Sequence, residues 1–137
     1  MKRLLSVLVG LEIFLLGGGQ GWCADFQKGH AAYRSGDYAT ALREWKPLAE
    51  NKGVFSLFYS KEDVINAQYN LGGMYRNGRG VKLDNVYAHM WGHIAAFNGN
   101  ESGRELRDIV AKRMTSADIT VARKLARECV RKRYKGC

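Results

Sequence analysis

One proline and three cysteines occur in 137 residues, and no Cys-x-x-Cys pair is among them, so neither a proline-rich linker nor a dithiol redox centre is available. Acidic residues are also scarce: 13 Asp or Glu stand against 22 Lys or Arg, for a formal charge of +9. No Gly-x-x-x-x-Gly-Lys-Ser/Thr loop, no Gly-x-Ser-x-Gly elbow and no paired carboxylates singled out by spacing occur, which removes the usual local signatures of nucleotide hydrolysis, serine hydrolysis and glycoside cleavage. The longest apolar run, residues 4–16, is too short for a membrane span, which takes roughly 20 residues, and Glu12 interrupts it. What remains is 46% hydrophobic and 11% aromatic, enough apolar surface for one compact domain and too little length for two.

The short run has another reading. Lys2 and Arg3 precede it and the small-residue stretch 17–21 follows, the pattern of an export signal. Cleavage after Ala24 makes residues 1–24 a signal peptide and Asp25 the mature N-terminus, although Trp22 is a poor residue three places before a cut. Cys23 does not read as a lipid-attachment cysteine, because the residue before it should be small and is Trp22. The expected location is therefore periplasmic or secreted, with no transmembrane segment once the signal is gone. Losing Cys23 leaves Cys129 and Cys137 as an even pair in an oxidising compartment, where a disulfide is the default and two free thiols the alternative.

Breaks at Gly36-Asp37, at residues 51–53, at Gly78 to Gly80 and at residues 98–100 separate segments of helical periodicity. Ala41, Trp45, Leu48 and Ala49 recur at three- and four-residue steps, as do Ala88, Trp91, Ala95 and Ala96, each set marking the buried face of an amphipathic helix. Self-comparison then aligns Gly29 with Gly72, Ala41 with Ala88, Trp45 with Trp91 and Ala49 with Ala95, at separations of 43, 47, 46 and 46 residues. One helical hairpin is thus expected twice, at 25–53 and at 61–99, the second opened by a Ser60/Asp63 capping box. Two further helices are expected within 101–134, the last striped by Ile119, Ala122, Ala126 and Cys129, sealing the open end.

Ala67, Leu71, Gly72, Tyr75, Gly78, Gly80, Val81 and Asp84, followed by Ala88, Trp91, Ala95, Ala96 and Gly99, closely resemble the Sel-one-like repeat (SLR) family of tetratricopeptide-type helical repeats. The strong match covers about 33 residues; the first copy matches weakly through Gly29, Gly36, Asp37, Tyr38, Ala41 and Trp45. Lys82 stands where the family often has proline, and the connection between copies is longer than usual. The resemblance implies an all-α solenoid of stacked antiparallel hairpins with two C-terminal capping helices, serving as a protein- or peptide-binding adaptor without cofactor and not as an enzyme. Some cysteine-rich relatives of this repeat are associated with β-lactam hydrolysis, but they carry paired cysteines in their repeats and these hairpins carry none.

Four features could bear function. Asn66, Asn70 and Asn77 fall on one helical stripe with Gly73 between them; asparagine offers the donor and acceptor that an extended peptide needs, and glycine admits its backbone, though a merely solvated face has the same composition. The apolar run at 54–59 is either an interface or cover for the first hairpin. His89 and His93 have a metal-compatible spacing, but no third ligand is evident and Met90 stands where a zinc protease needs glutamate, leaving partly exposed histidines as the ordinary reading. Finally, residues 101–137 supply +6 of the charge, and Arg123, Lys124, Arg127, Arg131, Lys132, Arg133 and Lys135 form a basic end. The alternative function is attachment of that end to an anionic envelope surface; nucleic acid fits an exported chain least.

Overall fold

The computed structural model describes residues 23–52 and 56–137, so the expected export signal lies outside the described residues except for Cys23 and Ala24. The described chain is all-α: α1 (Phe26–Ser35), α2 (Tyr38–Ala49), a 3₁₀ turn (Ser56–Phe58), α3 (Lys61–Asn77), α4 (Asn85–Phe97), α5 (Glu101–Ala111) and α6 (Ser116–Arg131). No strand occurs among these residues, and none of the helices is long and apolar enough to cross a membrane.

Every helix opens on a short polar side chain that accepts from its first turn: Asp25, Asp37, Ser60, Asp84, Asn100 and Thr115. Each such cap satisfies an amide that the helix itself cannot, at about 1 kcal/mol apiece. Left-handed glycines stop α1 and α3, at Gly36 and Gly78. Local sequence therefore sets the boundaries, with α3 beginning at Lys61 as the capping box requires. Toward the C-terminus the helices are shorter than the periodicity suggests: α5 ends at Ala111 and α6 at Arg131, after which Arg133 and Tyr134 adopt positive φ.

Packing proceeds along the chain, α1 on α2, α2 on α3 and α3 on α4, after which both α5 and α6 pack on α4. Gly29 permits the first contact, since a Cβ there would stand 2.5 Å from Trp45 Nε1. That indole donates to the Phe26 carbonyl at 3.2 Å. The turn between α3 and α4 then docks on the turn between α1 and α2. A Cβ at Gly80 would meet the Tyr38 carbonyl oxygen at 2.8 Å, and the Arg79 guanidinium lies over the Tyr33 and Tyr38 rings while donating to the Tyr33 hydroxyl at 2.8 Å. The main core joins Ala41, Trp45 and Leu48 to Leu71, Met74, Trp91, Ile94, Ala126 and Cys129.

Two departures from expectation follow from where α6 goes. Only four residues link α5 to α6, yet α6 packs chiefly across α4 rather than beside α5. The aliphatic stripe of α6 is the cause, because Ala122, Ala126 and Cys129 are buried and two of them join the main core. As a result α4 is enclosed by α3, α5 and α6, and Ala88, His89, Met90, Trp91, Gly92, Ile94 and Ala95 are all buried. It is a central helix, not one with a single apolar face.

Candidate functional site

On α3 the stripe divides. Asn66 Oδ1 accepts from Asn100 Nδ2 at 3.3 Å, and Asn100 Oδ1 accepts from the Gly103 amide at 2.7 Å, so the first member of the stripe is tied to the cap of α5. Asn70 is half-buried and its amide makes no hydrogen bond among the described residues. A Cβ at Gly73 would meet nothing within 4 Å, and Asn77 is exposed in the last turn. The open part of this face is thus Asn70, Gly73 and Asn77. It offers amide donors and acceptors beside bare backbone, the chemistry that pairs with an extended peptide. The opposite face of α3 explains its other residues, since Ala67, Leu71 and Gly72 are buried in the packing. Tyr75 stacks on Tyr87 at 5.2 Å between ring centroids, and Asp84 caps α4.

The apolar run at 54–59 is described only from Ser56 onward. Leu57 and Phe58 are 91% and 79% exposed, while Tyr59 is half-buried against the core. Beneath it lies a polar chain that crosses four elements. Gln68 Nε2 donates to the Ala49 carbonyl at 3.2 Å, Asn98 Nδ2 donates to Gln68 Oε1 at 2.8 Å, and the Tyr134 hydroxyl donates to Asn98 Oδ1 at 3.1 Å. Gln68 is fully buried and would cost stability if left unpaired. Sequence reading misses this chain because its members lie 19, 30 and 36 residues apart.

His89 and His93 stack on α4 with centroids 6.3 Å apart and planes 15° from parallel. His89 is only 2% exposed, which corrects its reading as partly exposed, whereas His93 is half-buried. Burial lowers the His89 pKa to about 4, aided by His93, Arg123 and Arg107 and opposed by Asp108. His93 is lowered by burial and then by Arg107, Arg123 and Arg127. Both rings are consequently neutral near pH 7. Neither Nδ1 has a hydrogen-bond partner, nor does Asn85 Oδ1 one turn earlier. No three His, Cys, Asp or Glu side chains converge on a metal position among the described residues.

At the C-terminus Cys129 and Cys137 are bonded, with Cα atoms 5.6 Å apart. Arg123, Lys124, Arg127, Arg131, Lys132, Arg133 and Lys135 are exposed, and none forms an ion pair among the described residues. In comparisons with known proteins, no family model, curated protein or solved structure matches this chain.

Proposed function

We propose that this chain is an exported SLR-type adaptor that binds a protein or peptide along the open face of α3. The observation that carries the reading is the pairing of an unpartnered Asn70 amide with the bare backbone at Gly73, where nothing stands within 4 Å. A solenoid of repeated helix pairs is supported by equivalent features in both pairs: Gly29 and Gly72 each admit a partner helix, and Asp37 and Asp84 each cap the second helix. In this reading α5 closes the end of the stack and α6 secures it from behind.

Two observations support export. The Cys129–Cys137 bond suits an oxidising compartment. The Asp25 amide nitrogen also lies 3.1 Å from Glu44 Oε2, so a cut after Ala24 would leave an α-ammonium against a buried carboxylate. That pairing is favourable where a backbone amide gives only an ordinary hydrogen bond.

A photo-crosslinking residue at position 73 in the exported protein, compared with one at exposed Ala39 on α2, tests the reading. A protein adduct formed at 73, absent at 39 and lost on Asn70→Ala, is the expected result; equal capture at both positions, or none at 73, refutes it. The exposed cations of α6 favour a second reading, attachment to an anionic envelope surface. Binding that collapses steeply as salt rises would select that reading.

A further inference from the structure

Asn-Gly occurs twice in the chain, at Asn77-Gly78 and at Asn98-Gly99, and each pair lies at the C-terminal end of a helix, α3 and α4. The dipeptide carries its own chemistry. Glycine lacks the Cβ that would shield its amide nitrogen, so that nitrogen can reach the Cγ of the asparagine before it. The two nucleophiles stand alike: Gly78 and Gly99 take positive φ, at 63° and 97°, and their amides donate to the carbonyls of Met74 and Ala96. What differs is the electrophile, the asparagine side chain.

Asn98 is held on both sides. Its Nδ2 donates to Gln68 Oε1 at 2.8 Å, its Oδ1 accepts from the Tyr134 hydroxyl at 3.1 Å, and the residue is half-buried. Turning its Cγ toward Gly99 breaks both bonds and takes a partner from the buried Gln68. Asn77 is exposed, and its side chain makes no hydrogen bond among the described residues. It is also the last residue of α3, where a helix opens at little cost.

We propose that Asn77 is a site of spontaneous covalent modification, in which the Gly78 amide nitrogen displaces ammonia from the Asn77 side chain, while Asn98 in the same dipeptide is protected. After losing its proton to hydroxide, the Gly78 nitrogen attacks Asn77 Cγ. The new C–N bond closes a five-membered imide as the Cγ–Nδ2 bond breaks, and ammonia leaves with a proton from water, which regenerates the hydroxide. Water then opens the ring at either carbonyl. Opening at Cγ gives aspartate in an unchanged backbone; opening at the main-chain carbonyl gives isoaspartate, whose backbone runs through Cβ and is one carbon longer. Either product sets a carboxylate at the negative end of the α3 dipole. The lengthened backbone lies next to Arg79 and Gly80, whose contacts with Tyr33 and Tyr38 join the two inter-helix turns, so the reaction loosens that junction. An effect on peptide binding along α3 would rest on the adaptor reading; the reaction at Asn77 does not.

The oxidised exported chain is incubated at mildly alkaline pH and digested, and its peptides are resolved by mass spectrometry, with enzymatic methylation of isoaspartate as a second readout. The peptide holding Asn77 should gain one mass unit and accept methyl groups. Its rate should exceed that of the Asn98 peptide by roughly tenfold or more, the factor that two hydrogen bonds confer. Asn77→Gln should remove the methyl acceptance. Tyr134→Phe, which deletes one of the two bonds on Asn98, should raise the Asn98 rate roughly fivefold and leave Asn77 unaltered. In guanidinium chloride both asparagines should convert alike. Equal rates at the two sites in the folded protein, or no conversion at Asn77 while the unfolded chain converts, would overturn the proposal. An Asn98 rate unmoved by Tyr134→Phe would overturn the protection assigned to its hydrogen bonds.

Discussion

Gly29 and Gly73 both lie within helices, yet their surroundings are opposite. A methyl at Gly29 would press on the Trp45 indole at 2.5 Å, whereas one at Gly73 would meet only open space. Gly29→Ala should therefore cost about 1–3 kcal/mol through overpacking. Gly73→Ala should gain about 0.5–1 kcal/mol, because alanine is the better helix former. Urea unfolding of the two variants checks both signs. If the α3 face binds peptide, the more stable Gly73→Ala protein should also bind it more weakly. Glu44 is the other decisive residue: its carboxylate, 2% exposed, accepts from the Asp25 amide and pairs with Lys28 at 3.2 Å. Glu44→Gln keeps the shape but not the charge, and should cost about 1–2 kcal/mol in a chain beginning at Asp25. The same unfolding curves would show no loss if the carboxylate were idle.

Among elements, the C-terminal tail is held at two points. The disulfide closes a loop of separation eight, and the Tyr134 hydroxyl ends the chain of hydrogen bonds running through Asn98 and Gln68 to the end of α2. Arg133 and Tyr134 take left-handed backbone angles between these anchors, a conformation that costs side-chain-bearing residues about 1–2 kcal/mol each. Reduction should thus lower stability by about 2–3 kcal/mol from loop entropy, and should free the tail to relax. Tyr134→Phe should cost about 1 kcal/mol in the oxidised protein and close to nothing in the reduced one, a coupling that a double-mutant cycle against Cys137→Ser measures. The cap that starts α3 was readable in advance, since Ser60 acts on an amide three residues away. The crossing of α6 over α4 was not, because a buried alanine stripe says that a helix packs without saying on what.

For the whole molecule, pH is the informative variable. His89 and His93 titrate below their unfolded value near 6.5, to about 4 for His89, because burial and the surrounding arginines disfavour imidazolium. The unfolded chain then binds more protons than the folded one between those values. Their contribution to stability is complete above about pH 6.5 and is lost as pH falls toward 4. The urea midpoint should accordingly drop between pH 7 and pH 4.5, and His89→Gln should flatten that drop. A midpoint that did not move would contradict the burial of the pair.

By itself the sequence determined the all-α class, the breaks at Gly36 and Gly78, the start of α3 at its Ser60 cap and the alignment of Asn70, Gly73 and Asn77 on one helix, and it made the Cys129–Cys137 bond the default pairing. Each of these rests on interactions within a few residues, or on chemistry that only two groups can satisfy. Tertiary structure decided that Asn66 is already engaged by Asn100, that Leu57 and Phe58 are largely exposed, that α4 is central, and that arginines of two other helices act on His89 and His93. These depend on which elements meet, and the choice is made by packing free energy summed over the whole core, which no local pattern carries.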